Sequence, residues 1–382
     1  MNNNKALLGV KLNNNFFVGL IFFIALLFSI GKIQAQNEKK YTYSLSTSVF
    51  RGFILRHSKE IGVAGNSFPA GFYSEFNRHH YGHQSWESRH RYPDFGVSFY
   101  YVNYNSPVTG RSYALAPHYK IYLGKKRDGI FRLTYKMGLG IGLNDTPYSR
   151  DTNHQNQLLG SRFCFSIPTT LDAELKINKQ IRLNSGLSLI HFSNGAIKKP
   201  NKGINVIALT GGFRYHLATT TPSYQQNEEA FDQQSVRAVL ILSGGAHEPN
   251  FVGAGAKPFF NLTAYGSKKV NHKIAWLAGV DVFWSLALKE DIQYDVDLEP
   301  GPLPDYKRAA VTAGFEYFIN DLSIIGQIGV YFYDPYHKYA FFYERIGLKY
   351  YINPRLFTSL TLKAHYANAE MAELGVGYYL NQ

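Results

Sequence analysis

Residues 181–193 read IRLNSGLSLIHFS, and the alternation in this run decides how the chain is built. Side chains of a strand point to opposite sides in turn. The odd positions give Ile181, Leu183, Ser185, Leu187, Leu189, His191 and Ser193, and the even ones Arg182, Asn184, Gly186, Ser188, Ile190 and Phe192. One face is greasy and the other mostly polar. In a soluble sandwich the greasy face would meet a core, whereas in a membrane barrel it meets lipid while Arg182 and Asn184 face a wet lumen. The flanking runs divide in the same way. Phe163, Phe165, Ile167, Leu171 and Leu175 stand opposite Arg162, Asp172, Glu174 and Lys176. Farther on, Asn205, Ile207, Leu209, Phe213, Tyr215 and Leu217 stand opposite Thr210, Arg214 and His216. Three neighbouring strands that send their charges to one side predict a barrel wall.

The rest of the chain repeats the pattern. Segments rich in Tyr, Phe, Val, Ile and Thr recur between polar turns near 41–54, 93–105, 112–124, 129–141, 160–176, 181–193 and 204–217. A second series falls near 236–245, 256–266, 272–285, 306–319, 322–334, 341–351, 356–366 and 371–380. Many are long enough to cross a bilayer, for which about 9 to 11 tilted residues suffice. Bacterial barrels close with even numbers of strands, so the fifteen segments point to 14 or 16 strands and one miscounted element. The fold class is therefore all-β, an antiparallel transmembrane barrel of the outer-membrane type. The 29 tyrosines and 28 phenylalanines suit the aromatic girdles of such barrels, and the slightly negative mean hydropathy of −0.22 suits strands that are apolar on one side only.

The start of the chain reads differently. Lys5 and Lys11 precede an apolar run from Phe16 to Ile30, and Ile33-Gln34-Ala35 offers a small-residue cleavage site. This is the pattern of a secretory leader over 1–35, with a mature chain from Gln36. Its removal takes Lys5, Lys11 and Lys32 away and lowers the formal net charge from +13 to +10. The remaining basic charge fits either a soluble secreted protein with a positive surface or attraction to anionic lipid head groups, and charge alone does not separate the two. Nucleic acid is not an expected partner of an exported chain. Cys164 is the only cysteine, so packing and hydrogen bonds, not internal disulfides, must hold the exported protein together.

Between the two series, Ala218 to Gln234 read ATTTPSYQQNEEAFDQQ, a polar loop or linker. It divides the chain into a segment over 36–218, a linker over 219–234 and a second β-rich segment over 235–382. Two smaller barrels would fit this division, but a single larger barrel leaves no extra edges and is the preferred expectation. The irregular stretch Arg56 to Arg91 holds His57, His79, His80, His83 and His90. His79 and His83 would share a face if the piece were helical, yet no carboxylate context accompanies them, and a solvated loop near the membrane surface is the expected structure.

His191 and Ser193 emerge on the apolar face, where an imidazole and a hydroxyl are poorly solvated. A serine becomes a nucleophile when a nearby base removes its proton, and two residues on one strand face are about 7 Å apart at the backbone. The segment His191-Phe192-Ser193-Asn194, followed by Gly195-Ala196-Ile197-Lys198-Lys199-Pro200-Asn201-Lys202-Gly203-Ile204, resembles the signature of PagL-type lipid A 3-O-deacylases. These are outer-membrane barrels that hydrolyse an ester on lipid A. Their pattern is His-x-Ser-Asn, a turn with Pro-Asn-x-Gly-Ile, and then an acidic residue. Weaker similarity runs through about residues 41 to 218, including Tyr92-Pro93 and the turn from Asn153 to Ser161, while the later half looks unlike the small family members.

The resemblance implies Ser193 as nucleophile, His191 as its base and later the proton donor to the leaving sugar oxygen, and Asn194 as a donor to the oxyanion. One position departs from the pattern. Twelve residues after the serine, where the family has a glutamate, this chain has Asn205, which can orient an imidazole but cannot neutralise an imidazolium. Asp172 and Glu174 are the nearest acids, but parity turns them into the lumen. Lys198, Lys199 and Lys202 in the turn would meet the phosphates of lipid A, in a protein of the Gram-negative outer membrane that needs no cofactor or metal. The alternatives are an esterase acting on another membrane lipid or acyloxyacyl bond, and a noncatalytic pore or scaffold.

Overall fold

In the computed structural model, which describes residues 40–56, 61–62, 66–124, 127–227, 229–232 and 235–381, the odd-numbered side chains from 181 to 193 face outward. The leader, its cleavage site and His57 lie outside the described residues. The first half contains β1 (Thr42–Ile54), β2 (Ala70–His79), β3 (Asp94–Asn103), β4 (Arg111–Leu123), β5 (Phe131–Gly138), β6 (Gly140–Asn144), β7 (Phe163–Lys176), β8 (Ile181–Ser193) and β9 (Ile204–His216). All pairings are antiparallel. β9 returns to pair with β1, and β3 with β4, so the sheet closes. β5 and β6 are one crossing interrupted at Leu139, and both lie between β4 and β7. The result is a barrel of eight crossings.

The second half contains β10 (Arg237–His247), β11 (Lys257–Lys269), β12 (Ile274–Ser285), β13 (Lys307–Ile319), β14 (Leu322–Tyr333), β15 (Phe342–Tyr351), β16 (Leu356–His365) and β17 (Asn368–Tyr379). These form a second closed barrel, sealed by the pairing of β10 with β17. The expectation of one large barrel is therefore overturned in favour of two smaller ones. The edge argument did not separate these cases, because two closed sheets have no edges either. The strand missing from the sequence reading is β2. It lies in the histidine-rich stretch read as a solvated loop, and His79, His80 and His90 are buried there. His79 ends β2 and His83 follows in a turn, so no helix puts them on one face.

Exposure follows parity. On β8, Leu183, Leu187 and Leu189 are exposed while Arg182 is buried, and Asp172, Glu174 and Arg214 of β7 and β9 are buried with it. Arg162 differs from expectation, since it precedes β7 at the loop end and is exposed. The outer wall of the second barrel carries exposed Leu242, Val311, Ile328 and Leu374. Such apolar surface on closed barrels belongs in a bilayer.

The lumens are filled, not open. In the first, Glu75 pairs with Lys120 at 2.7 Å and with Lys136, Asp94 pairs with Arg127 at 2.6 Å, and Glu174 pairs with Arg132 at 2.6 Å and Arg214 at 2.8 Å. In the second, Arg345 bridges Asp281 and Glu373, each at 2.8 Å, Lys349 meets Glu316 at 2.6 Å, and Glu370 binds Arg308 and Lys363. Buried charges are tolerated because each has a partner.

The barrels lie side by side with their long loops at one end. Ala196, beyond β8, accepts a hydrogen bond from the Glu248 N–H, beyond β10, at 3.0 Å. At the opposite end His90 meets the Tyr317 hydroxyl at 3.0 Å.

Candidate active site

β8 and β9 put His191 directly opposite Asn205, and the His191 Nδ1–H donates to the Asn205 Oδ1 at 2.7 Å. That bond fixes the ring and leaves Nε2 as the nitrogen directed away from β9. Ser193, the last residue of β8, follows on the same face. Gly203 lies beside both residues. Its φ is +75°, and a methyl group there would lie 2.9 Å from the His191 Cε1 and 3.6 Å from the Ser193 Cβ. Glycine is thus required both by the backbone and by the imidazole edge.

The turn from 194 to 203 is braced from within. The Asn194 N–H donates to the Asn201 Oδ1 at 2.9 Å, and its amide Nδ2 donates to the Ser161 hydroxyl at 2.9 Å and the Lys198 carbonyl at 2.7 Å. These bonds use every donor of Asn194. Gly195 and Ala196 follow with φ of +64° and +65°. The turn from Asn153 to Ser161 packs on this one, with the Gly203 N–H donating to the Leu158 carbonyl at 2.9 Å. Asn156 holds that second turn, its Nδ2 donating to the Thr146 carbonyl at 2.7 Å and its Oδ1 accepting from Leu158 N at 3.1 Å.

Of the three lysines, Lys198 and Lys202 are exposed. Lys199 is half-buried. Its backbone N–H donates to the Glu248 carboxylate and its ammonium to the Asn250 side-chain oxygen, both in the second half of the chain. Burial pushes the Lys199 pKa down to about 8, against the pull of nearby Asp291. Glu248 is buried and also accepts from the N–H groups of Gly253 at 2.9 Å and Gly255 at 3.0 Å.

Sequence reasoning found His191, Ser193, Asn194 and Asn205 at one place, but missed what Gly203, Asn201 and Glu248 do. The Pro-Asn-x-Gly stretch carried a signal for the first two. Nothing in the sequence around Glu248 marks it as a clasp on a turn almost fifty positions earlier. Asp172 and Glu174 lie in the lumen, as parity required. The surroundings of Ser193 also differ from expectation. Leu187 on the same face is 54% exposed, but Ser193 is 7% exposed because the second barrel stands against this end of β8.

Comparisons with known proteins find similarity in both halves of the chain. Residues 73–214 match the family model described as lipid A 3-O-deacylase (PagL), and residues 236–382 match the one described as acyloxyacyl hydrolase, C-terminal domain. Among solved structures, the outer membrane enzyme PagL is 17% identical, with 44% of this chain and 97% of that chain covered and a TM-score of 0.30. Neisserial surface protein A is 11% identical, with 46% of this chain and 95% of that chain covered and a TM-score of 0.28. No curated protein matches the chain. With one model on each barrel, and the first spanning both the His-x-Ser-Asn strand and the turn after it, the chain belongs to the PagL-type lipid A 3-O-deacylase family.

Proposed function

We propose that the protein is a serine esterase of the Gram-negative outer membrane that removes an ester-linked acyl chain from lipid A, at the 3-O position. The observation that carries this reading is the His191–Asn205 hydrogen bond at 2.7 Å, with Ser193 next on the same outward face. Asn205 orients the ring and selects the tautomer whose Nε2 accepts a proton.

In the first step the Ser193 Oγ bonds to the acyl carbonyl carbon while His191 Nε2 takes the hydroxyl proton. The carbon–oxygen bond to the sugar then breaks, and His191 returns the proton to the sugar oxygen. Water attacks the acyl-serine ester, His191 again takes and gives one proton, and a fatty acid leaves. The donors to the oxyanion are the backbone N–H groups of Gly195 and Ala196, because Asn194 spends its own donors on the turn. Lys198 and Lys202, exposed at the loop end, face the substrate phosphates, and Lys199 adds charge below about pH 8.

Filled lumens argue against a pore. The remaining alternatives are a scaffold and an esterase for another lipid. Lipid A from cells making the native chain or Ser193→Ala decides among these. Loss of one acyl group with the native chain only supports the proposal; identical mass spectra from two correctly inserted proteins overturn it.

A further inference from the structure

The second barrel stands where the substrate's acyl chain must go. Resting on the esterase reading above, we infer that the cleft between the two barrels is the acyl-chain channel of the site, and that the second barrel sets which chain length is cleaved.

An apolar cleft of about 280 Å³ has Ser193 in its lining. That is close to the lower end of the roughly 300–1,000 Å³ typical of ligand sites. Phe165, Ile167 and Tyr119 line it from the outer wall of the first barrel, and Ile346, Leu348 and Leu362 from that of the second. Its top is closed at the catalytic turn. A methyl group on Gly195 would meet the Ala372 Cβ at 2.9 Å and the Phe165 ring at 3.4 Å, so glycine allows the second barrel to approach this closely.

Below that point the second barrel's lining is ordered in cross-strand rows. Ile346, Leu362 and Ala372 share the first row, Ile324, Leu348 and Leu360 the next, and Leu322 follows below them. Rows on one face are two residues apart, so the lining runs about 14 Å along the strands, away from the loops and into the depth of the wall. A polar head group has no place there. An extended hydrocarbon does, with its carbonyl at Ser193 and its tail between the barrels. The Glu248 clasp, which accepts from Lys199 N–H and donates to the Ala196 carbonyl, keeps the second wall in place beside the nucleophile.

The test is Leu348→Trp, a substitution on the second barrel outside the catalytic groups that fills the middle of the channel. Hydrolysis of lipid A carrying a long 3-O-acyl chain should fall roughly tenfold or more, the scale on which an apolar pocket discriminates by size. Turnover of p-nitrophenyl acetate, which needs no channel, should stay at the native rate. Leu348→Ala should do the reverse and accept longer chains. Unchanged chain-length profiles in both variants, each running as a folded barrel on unheated gels, would overturn the inference. Ser193→Ala protein, photolysed with a lipid whose acyl end carries a diazirine, tests the channel without catalysis. Labels concentrated on 346–362 support it even if no hydrolysis is ever seen, and labels spread evenly around both outer walls refute it even if the native protein is active.

Discussion

Across the β8–β9 ladder, the Asn205 side-chain oxygen accepts the His191 Nδ1–H at 2.7 Å, in the place where the family pattern has a glutamate. In the proposed mechanism, an amide holds the ring but leaves the imidazolium of the transition state without a counter-charge. Asn205→Glu is therefore expected to raise kcat on lipid A, and Asn205→Leu, which removes the acceptor, to lower it about 100-fold or more. Steady-state kinetics on purified protein in detergent checks both. A glutamate variant slower than the native chain would show that the amide is not a weakened substitute.

Gly203→Ala should damage the site in two ways. Its φ of +75° costs an alanine about 1 kcal/mol or more, and the added carbon would sit 2.9 Å from the His191 Cε1. The expected result is a small loss of stability with a large loss of kcat. Paired urea unfolding and activity curves will show whether the two effects separate.

The lumenal ion pairs should behave oppositely. Glu174→Ala leaves buried Arg132 without its carboxylate and buried Arg214 with Asp94 alone, at 3.6 Å, and removing one partner of a buried pair costs about 3–5 kcal/mol. The urea midpoint should drop sharply, while Ser193→Ala should leave it unchanged. Equal midpoints for the two variants would mean that the lumen is not what stabilises the barrel.

Lys199 gives a pH signature. With its pKa lowered to about 8 by burial, it is mostly charged at pH 7 and mostly neutral at pH 9. KM for lipid A should therefore rise through pH 8 while kcat holds, and Lys199→Arg should flatten that rise. Lys198→Glu and Lys202→Glu should raise KM at every pH and spare a soluble ester. If turnover of the soluble ester fell as well, the lysines would not be acting through substrate phosphates.

Much of this architecture was legible because one rule, alternation, acts on every strand. It placed Arg182, Asp172, Glu174 and Arg214 inside and Leu183, Leu187 and Leu209 outside. It also carried His191 and Ser193 outward, and their spacing with Asn205 reappears as adjacent positions on paired strands. What alternation does not encode is closure. Whether β9 meets β1 or β10 depends on register around a whole ring, and no local pattern states it. β2 was lost because its Ser, Glu, Asn, Arg and His residues read as a solvated loop, although several of them fill a lumen. The cover over Ser193 is a contact between two closed walls, which leaves no mark on either strand's own periodicity.

The salt-bridged interiors carry a consequence for the cell. Among the described residues, Arg214 and Lys136 in one ring and Arg345 and Lys349 in the other are buried with their counter-ions, which argues against an open aqueous route through either ring. On the esterase reading, such plugged rings would let the protein act on surface lipids without itself opening a leak across the barrier those lipids provide.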